Sequence, residues 1–185
     1  MKHRFCVGTL FLVLVAVGIG CGDSEPENAS ENFVSQPEAK PVPQPKDNLK
    51  ATCMLKGKRK ADVALEYGDQ GFNFSFMGQP VPPSGTALYS VTVFDKTGEY
   101  GVQLGVKYLD GKQTAYFIFS FDTNEQVNLD GTAVVEGNAV SGNFPAKDPG
   151  QLLDAGPASW SAVFNVEGND VGECPGDAKS LPFPG

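Results

Sequence analysis

The sequence predicts an all-β domain, an antiparallel β-sandwich or barrel of about seven to nine strands. Three observations support this class. Apolar and polar side chains alternate along several segments, which is typical of strands with one buried face. Glycine next to aspartate or asparagine separates many of these segments, as in β-hairpins. Between residues 49 and 178, no stretch repeats its apolar residues at the 3.6-residue period of an amphipathic helix.

The strands are predicted from segments with a large apolar residue at every second position. A short strand through Ala61, Val63 and Leu65 is expected to open the domain. In five further segments the polar neighbours fall on the opposite face. We expect the following apolar residues to point into a solid core, with a ligand cavity as the alternative: Phe72, Phe74 and Phe76; Tyr89, Val91 and Val93; Val102, Leu104, Val106 and Tyr108; Phe117, Phe119 and Phe121; and Trp160, Ala162, Phe164 and Val166.

The connections between these segments contain residues suited to tight turns. Asp110 and Gly111 lie between two strong strand segments and predict a type I′ turn, in which both residues need a positive φ angle. Residues 95–98 predict a type I turn followed by a glycine bulge, and residues 148–157 allow at most one helical turn. Further hairpins are predicted at Gly137-Asn138 and Gly168-Asn169.

The first 20 residues have the layout of a secretory signal peptide. Lys2 and Arg4 precede an apolar stretch of about 15 residues, which is too short for a membrane-spanning helix. Residues 17–20 are small or aliphatic and come directly before Cys21. This arrangement resembles the lipobox of bacterial lipoprotein precursors, with glycine at position 18 where that family usually has leucine or valine. The resemblance implies that the chain is cut before Cys21, which is then acylated and anchors the protein in a membrane.

The same resemblance implies a location in the bacterial cell envelope, and Gly22 directly after the cysteine implies sorting to the outer membrane. The alternative is an ordinary secretory signal, which would leave Cys21 as a free or disulfide-bonded thiol. Residues 21–48 are rich in Pro, Glu and Ser and predict a disordered linker. Residues 49–178 then form one β-rich domain, and residues 179–185 form a C-terminal tail.

The cysteines of the domain are expected to pair. If Cys6 leaves with the signal peptide and Cys21 is acylated, Cys53 and Cys174 remain as an even pair in an oxidising compartment. Their predicted disulfide would connect residues 121 positions apart, near the two ends of the domain. A metal or redox pair is the alternative, but the two cysteines do not have CxxC spacing.

Few kinds of catalytic or metal-binding group remain in the expected mature chain. His3 is the only histidine and leaves with the signal peptide, which excludes Ser-His and Cys-His nucleophile pairs and histidine-ligated metals. The acidic residues lie mainly at expected turns, so a carboxylate-based hydrolase is only a third alternative. Residues 122–130 alternate oxygen-bearing side chains but lack the glycine of a calcium loop. We therefore expect no enzyme, no catalytic residue, no metal and no other cofactor.

The charge distribution limits the partners. The net charge is −8, and removal of the two cations of the signal peptide makes it more negative, which argues against nucleic acid as a partner. Four cations nevertheless cluster at Lys56, Lys58, Arg59 and Lys60. They are candidate contacts for an anionic partner, and the alternative is that they protect a strand edge from aggregation.

Together these features predict a monomeric, lipid-anchored envelope protein whose β-domain is a binding or structural module. Its membrane contact is the acylated Cys21, and its ligand would be a protein, a glycan or a lipid. The alternative is a carrier or chaperone that holds an apolar ligand, such as a lipid, inside a β-barrel. A continuous interior cavity would favour the carrier, whereas a filled core would favour binding at the surface.

Overall fold

The structure, a computed structural model, describes residues 48–145, 156–176 and 180–184. These residues form thirteen β-strands and no helix, which confirms the predicted all-β class. Nine strands have six or more residues, and the other four are short strands of two to four residues that raise the total above the expected seven to nine. The strands are β1 (Leu49–Met54), β2 (Lys56–Gly57), β3 (Asp62–Gly68), β4 (Gly71–Met77), β5 (Thr86–Phe94), β6 (Gly101–Leu109), β7 (Lys112–Ser120), β8 (Glu125–Asn128), β9 (Val134–Glu136), β10 (Ala139–Pro145), β11 (Ser159–Val166), β12 (Asn169–Cys174) and β13 (Leu181–Pro182).

The described residues do not cover every predicted segment. The predicted signal peptide, Cys21 and residues 22–47 of the predicted linker lie outside them, as does most of the 148–157 segment. Residues 180–184, assigned from the sequence to a C-terminal tail, pack on the domain. β13 pairs with β11, and Phe183 is buried in the hydrophobic core. The domain therefore extends to Phe183.

The strands form two antiparallel sheets. The five-stranded sheet has the order β1-β3-β4-β10-β9. The eight-stranded sheet has the order β2-β12-β11-β5-β6-β7-β8, and β13 also pairs with β11. Most neighbours are joined by hairpins, such as β3-β4, β5-β6 and β6-β7, because short turns connect antiparallel strands.

Side chains of both sheets meet in one hydrophobic core, so the fold is a sandwich rather than a barrel. Phe76 of β4 meets Tyr89 of β5 edge to face, with ring centroids 5.5 Å apart. Tyr116 of β7 contacts Phe144 of β10 at 4.8 Å and donates a hydrogen bond to the carbonyl of Asn143. Burial raises the pKa of Tyr116 to about 12, so its hydroxyl remains a protonated donor. Aromatic rings thus bridge the two sheets in the middle of the sandwich.

Two hairpins have the turns that the sequence predicts. Asp110 and Gly111 have φ angles of 49° and 75°, as the type I′ turn between β6 and β7 requires. Between β9 and β10, Glu136 pairs with Ala139, so residues 137 and 138 form the two-residue loop. These turns are specified locally, because few residues other than glycine, asparagine and aspartate adopt a positive φ angle at low cost.

The β11-β12 turn lies one residue earlier than predicted. Val166 pairs with Asn169, so the turn consists of Glu167 and Gly168, with φ angles of 52° and 76°. The prediction that Gly168 and Asn169 form the turn is therefore wrong. The carboxylate of Glu167 accepts a hydrogen bond from the backbone N–H of Thr86 at 2.6 Å. This contact from β5 is tertiary, and it holds a residue with a low intrinsic preference for this conformation.

Residues 95–98 close the β5-β6 hairpin around a buried carboxylate. Asp95 accepts hydrogen bonds from the Thr97 hydroxyl at 2.8 Å and from the backbone N–H of Gly98 at 2.8 Å. Burial by itself would raise the pKa of Asp95, but these hydrogen bonds, with those from the backbone of Thr97 and Tyr100, hold the pKa below its usual value of 3.8. Gly98 has a φ angle of 72°, as expected for the glycine that follows a type I turn.

Candidate ligand-binding face

The two phenylalanines of strand β7 lie on the outer side of the sheet, where Phe119 is partly exposed and Phe117, at 7 % exposure, is covered. Ile118 is 2 % exposed, pairs with Leu104 and points into the core. Phe117 and Phe119 pair with Gly105 and Gln103, two positions of β6 on the side of the sheet opposite to the buried Leu104 and Val106. The prediction that Phe117, Phe119 and Phe121 point inward is therefore wrong. Both faces of this segment are apolar, so the alternation alone does not identify the buried one.

Two glycines of β6 allow these rings to lie close against the sheet. A Cβ atom placed on Gly105 would overlap the ring of Phe117, and one on Gly101 would lie 2.8 Å from Cδ1 of Phe94. The rings of Phe94 and Phe121 are nearly parallel, at 16° with their centroids 6.5 Å apart. The edge of Phe119 contacts Phe121 at 5.2 Å. The outer side of this sheet thus carries a connected group of aromatic rings, and Phe121 is 49 % exposed.

Uncharged polar side chains surround these rings. Strand pairing aligns two rows of outward-pointing residues across β11, β5, β6, β7 and β8. No residue of either row carries a charge between β11 and β8, and beyond Val163 the second row continues on β12 with the exposed Glu173. The first row is Ser161, Thr92, Gln103, Phe119 and Gln126, and the second is Val163, Ser90, Gly105, Phe117 and Asn128. We call these two rows, together with Phe94 and Phe121, the aromatic face.

Several polar groups of the aromatic face have hydrogen-bonding capacity to spare. The side chains of Thr92, Gln103 and Ser161 are partly exposed and form no hydrogen bond with another described residue. Gln126 donates one hydrogen bond to Asn128, at 2.8 Å, which leaves its other amide hydrogen and its carbonyl oxygen for a ligand. These groups lie on strands rather than on loops, so the sheet holds their positions relative to one another.

A groove of about 500 Å³ adjoins the aromatic face at the end of the second row. Its lining includes Leu88, Lys107, Ala115, Phe117 and Gln126. Lys107 is exposed and is the cation of this groove. The groove therefore combines one aromatic ring and aliphatic side chains with a few polar groups, which is the usual composition of a small-molecule site.

The outer face of the five-stranded sheet differs in how its polar groups are satisfied. It carries a groove of about 440 Å³, in which four polar residues form two pairs, whereas the side chains of Ser75 and Ser141 form no hydrogen bond with another described residue. Lys50 forms an ion pair with Glu66 at 2.7 Å, and the amide of Asn143 donates to Asn73 at 2.7 Å. Because these groups already have partners, a ligand would have to replace existing interactions there. The aromatic face is the better candidate site.

The predicted disulfide between Cys53 and Cys174 is present. Cys53 lies on β1 of the five-stranded sheet and Cys174 on β12 of the eight-stranded sheet, so the bond joins the two layers. Cys21, the predicted lipidation site, lies outside the described residues.

The predicted basic cluster lies at an edge of the eight-stranded sheet. Lys56, Lys58, Arg59 and Lys60 are all exposed, and the first of them belongs to the edge strand β2. Lys56 is the register partner of Glu173, so an acidic residue lies beside the cluster. Exposed lysines at a sheet edge oppose pairing with another chain. That an anionic partner binds these cations stays a prediction.

The acidic residues and cysteines of the described ranges form no cluster suited to a metal ion. Within 48–145, 156–176 and 180–184, no group of three or more His, Cys, Asp or Glu residues is placed to hold a metal ion. In the same ranges no helix is long and apolar enough to cross a membrane. Residues 122–130, which alternate oxygen-bearing side chains, include β8, and two of them, Gln126 and Asn128, belong to the aromatic face.

Comparisons of the chain with protein-family models, with curated proteins and with solved structures gave no match.

Proposed function

We propose that this protein is a lipid-anchored binding module of the bacterial cell envelope, and that its β-sandwich binds a ligand on the aromatic face. The observation that carries the proposal is the combination of the exposed Phe121 and the partly exposed Phe94 and Phe119 with amide and hydroxyl groups on neighbouring strands that form no hydrogen bond with another described residue. Such groups are usually solvated singly on a protein surface, whereas here they are aligned in rows beside flat apolar surface. The anchor is Cys21, and the sequence of residues 22–48 supplies a linker that lets the domain stand away from the bilayer.

The core geometry supports a surface site over an internal one. A carrier of an apolar ligand needs an empty interior of several hundred Å³. Phe76 contacts Tyr89, and Tyr116 contacts Phe144, across the space between the sheets. Trp160, Phe74 and Phe164 are also almost completely buried around this space. The carrier alternative therefore has less support than a binding face.

The binding proposal predicts that substitutions on the aromatic face, and not on the opposite face, will weaken binding of the protein to an envelope component. The lipidated chain, extracted in mild detergent, is mixed with separate fractions of peptidoglycan, polysaccharide and lipid vesicles. The Phe119→Ala/Phe121→Ala double variant should bind the fraction that retains the parent at least about tenfold more weakly than the parent does. Each ring contributes on the order of 1 kcal/mol to binding. Bound and free protein are measured after sedimentation.

Met54 and Met77 provide the matched control. They are exposed on the outer side of the five-stranded sheet, with exposed fractions of 60 % and 48 %. The Met54→Ala/Met77→Ala double variant removes two large apolar side chains but should bind as the parent does. Equal binding by both double variants would refute the aromatic face as the site.

The proposed lipid anchor at Cys21 leads to a separate prediction. Cys21→Ser removes the acylated sulfur, so the variant should leave the membrane fraction, because several acyl chains on one residue provide the binding energy. Immunoblotting of membrane and soluble fractions measures the distribution. A variant that remains with the membrane would show that the lipobox interpretation is wrong.

A further inference from the structure

We infer that the ligand of the aromatic face is an uncharged glycan chain. This inference depends on the proposed binding function and goes further by naming the class of ligand. It rests on three properties of the face: the geometry of its rings, the kind of polar groups beside them, and its lack of charge.

The rings are arranged to receive flat ligands. Gly101 and Gly105 leave no Cβ atoms beneath Phe94 and Phe117, so these rings pack down on the sheet. Phe94 and Phe121 are within 16° of parallel. One side of a sugar ring presents mainly C–H groups, which carry a weak positive charge, and the face of an aromatic ring carries a weak negative charge. Stacking of a sugar on such a ring buries apolar surface on both partners.

The neighbouring polar groups match sugar hydroxyls. A hydroxyl both donates and accepts hydrogen bonds, and so do the amide of Gln103 and the hydroxyls of Thr92 and Ser161. These three side chains lie in one row with Phe119 and Gln126. Five adjacent strands span about 19 Å at about 4.8 Å per strand. A row of this length accommodates a chain of several sugar units rather than a single one.

The absence of charge in both rows indicates a neutral ligand. A carboxylate or phosphate that was desolvated on this face would need a cation beside it, since an unpaired buried charge is costly. Lys107 lines the adjoining groove. On the outer side of β6 it is the next residue after Gly105. The net charge of −8 also disfavours the approach of a polyanion.

Other classes of ligand fit this face less well. Docking on an anionic lipid surface relies in large part on clustered cations, and the two rows contain no cation. Protein interfaces concentrate their binding energy in Trp, Tyr and Arg, none of which occurs in the two rows. Binding to lipid vesicles or to a protein fraction is therefore an alternative result of the experiment described next.

The test uses the full lipidated chain in a nonionic detergent and native gels that contain one soluble polysaccharide each. The probes are dextran, galactomannan and xylan as uncharged chains, and alginate and polygalacturonate as acidic ones. We expect at least one uncharged chain to retard the protein. Phe121→Ala and Gln103→Ala should each raise the dissociation constant by about five- to tenfold. Met77→Ala, which removes an equally exposed apolar side chain from the opposite face, should leave it within about twofold.

Salt dependence separates neutral from charged ligands. An increase from about 50 to about 500 mM KCl should change the dissociation constant for the uncharged chain by less than about twofold, because screening acts only on charge–charge attraction. Thermal unfolding of each variant confirms that it is folded before its binding is compared.

The outcomes distinguish the two proposals. If no uncharged polysaccharide is retarded, the glycan inference is overturned. If the same variants instead weaken binding to an acidic chain, to lipid vesicles or to a protein fraction, the aromatic face is a binding site but its ligand is of another class. If the protein binds a probe and the face variants bind it as the parent does, both proposals fail.

Discussion

Replacing Ile118 with alanine should lower the free energy of unfolding by about 2–5 kcal/mol. Ile118 is 2 % exposed and lies between Leu104 of β6 and Val127 of β8. Its truncation would leave a cavity in a core that cannot fully collapse, since neighbouring side chains are held by the sheets. Equilibrium unfolding in urea measures the change.

Phe119 is the matched control, because it is the next residue on the same strand and points to the other side. Phe119→Ala removes a larger apolar group but should cost only about 1 kcal/mol or less, as the ring is partly exposed and contacts mainly Phe121. Truncation of Ile118 is thus expected to lower the free energy of unfolding more than truncation of Phe119, although isoleucine is the smaller residue. The reverse order of the two effects would mean that the phenylalanines of β7 are the buried set.

Removing the disulfide should have an effect of similar size. The Cys53→Ala/Cys174→Ala double variant should lose about 2–5 kcal/mol of stability, because the bond restricts an unfolded chain whose linked residues are 121 positions apart. The bond also connects β1 of one sheet to β12 of the other, so its loss frees the two layers at this edge. Thermal and urea unfolding of the oxidised parent and the variant measure the difference.

Reduction of the parent protein provides the control for this prediction. The reduced parent and the double variant should unfold at nearly the same urea concentration, since both lack the covalent link. Both should unfold at a lower concentration than the oxidised parent. An oxidised parent that unfolds together with the reduced parent would show that the bond contributes no stability.

The sequence predicted much of the fold because many of its signals are local. The alternation at Phe72, Phe74 and Phe76 identifies one apolar face, and the structure buries all three rings. Asp110 and Gly111 specify their turn through the φ angles they tolerate. The pairing of Cys53 with Cys174 was predicted by counting the cysteines that remain after the expected processing at Cys21.

The aromatic face was missed because no local signal separates the two sides of β7. Tyr116 and Ile118 are large and mainly apolar, as Phe117 and Phe119 are, so composition does not show which pair belongs to the core. Gly101 and Gly105 were the available hint. Two glycines four residues apart on one side of a strand mark a place where large neighbours pack close to the backbone. Gln103 lies between them and was likewise not identified as a candidate site residue.

Alternation, turn residues and the number of cysteines act within a segment or by composition, so they were enough to predict the all-β class, most of the turns and the disulfide. Which side of β7 is buried depends on its register with β6, and that pairing is a property of the folded protein. Leu104 and Val106 face the core, so their register partners Ile118 and Tyr116 face it too. Phe117 and Phe119 are thereby placed outside, beside amide and hydroxyl groups from strands distant in the sequence. The candidate site exists only through this pairing, which no single segment encodes.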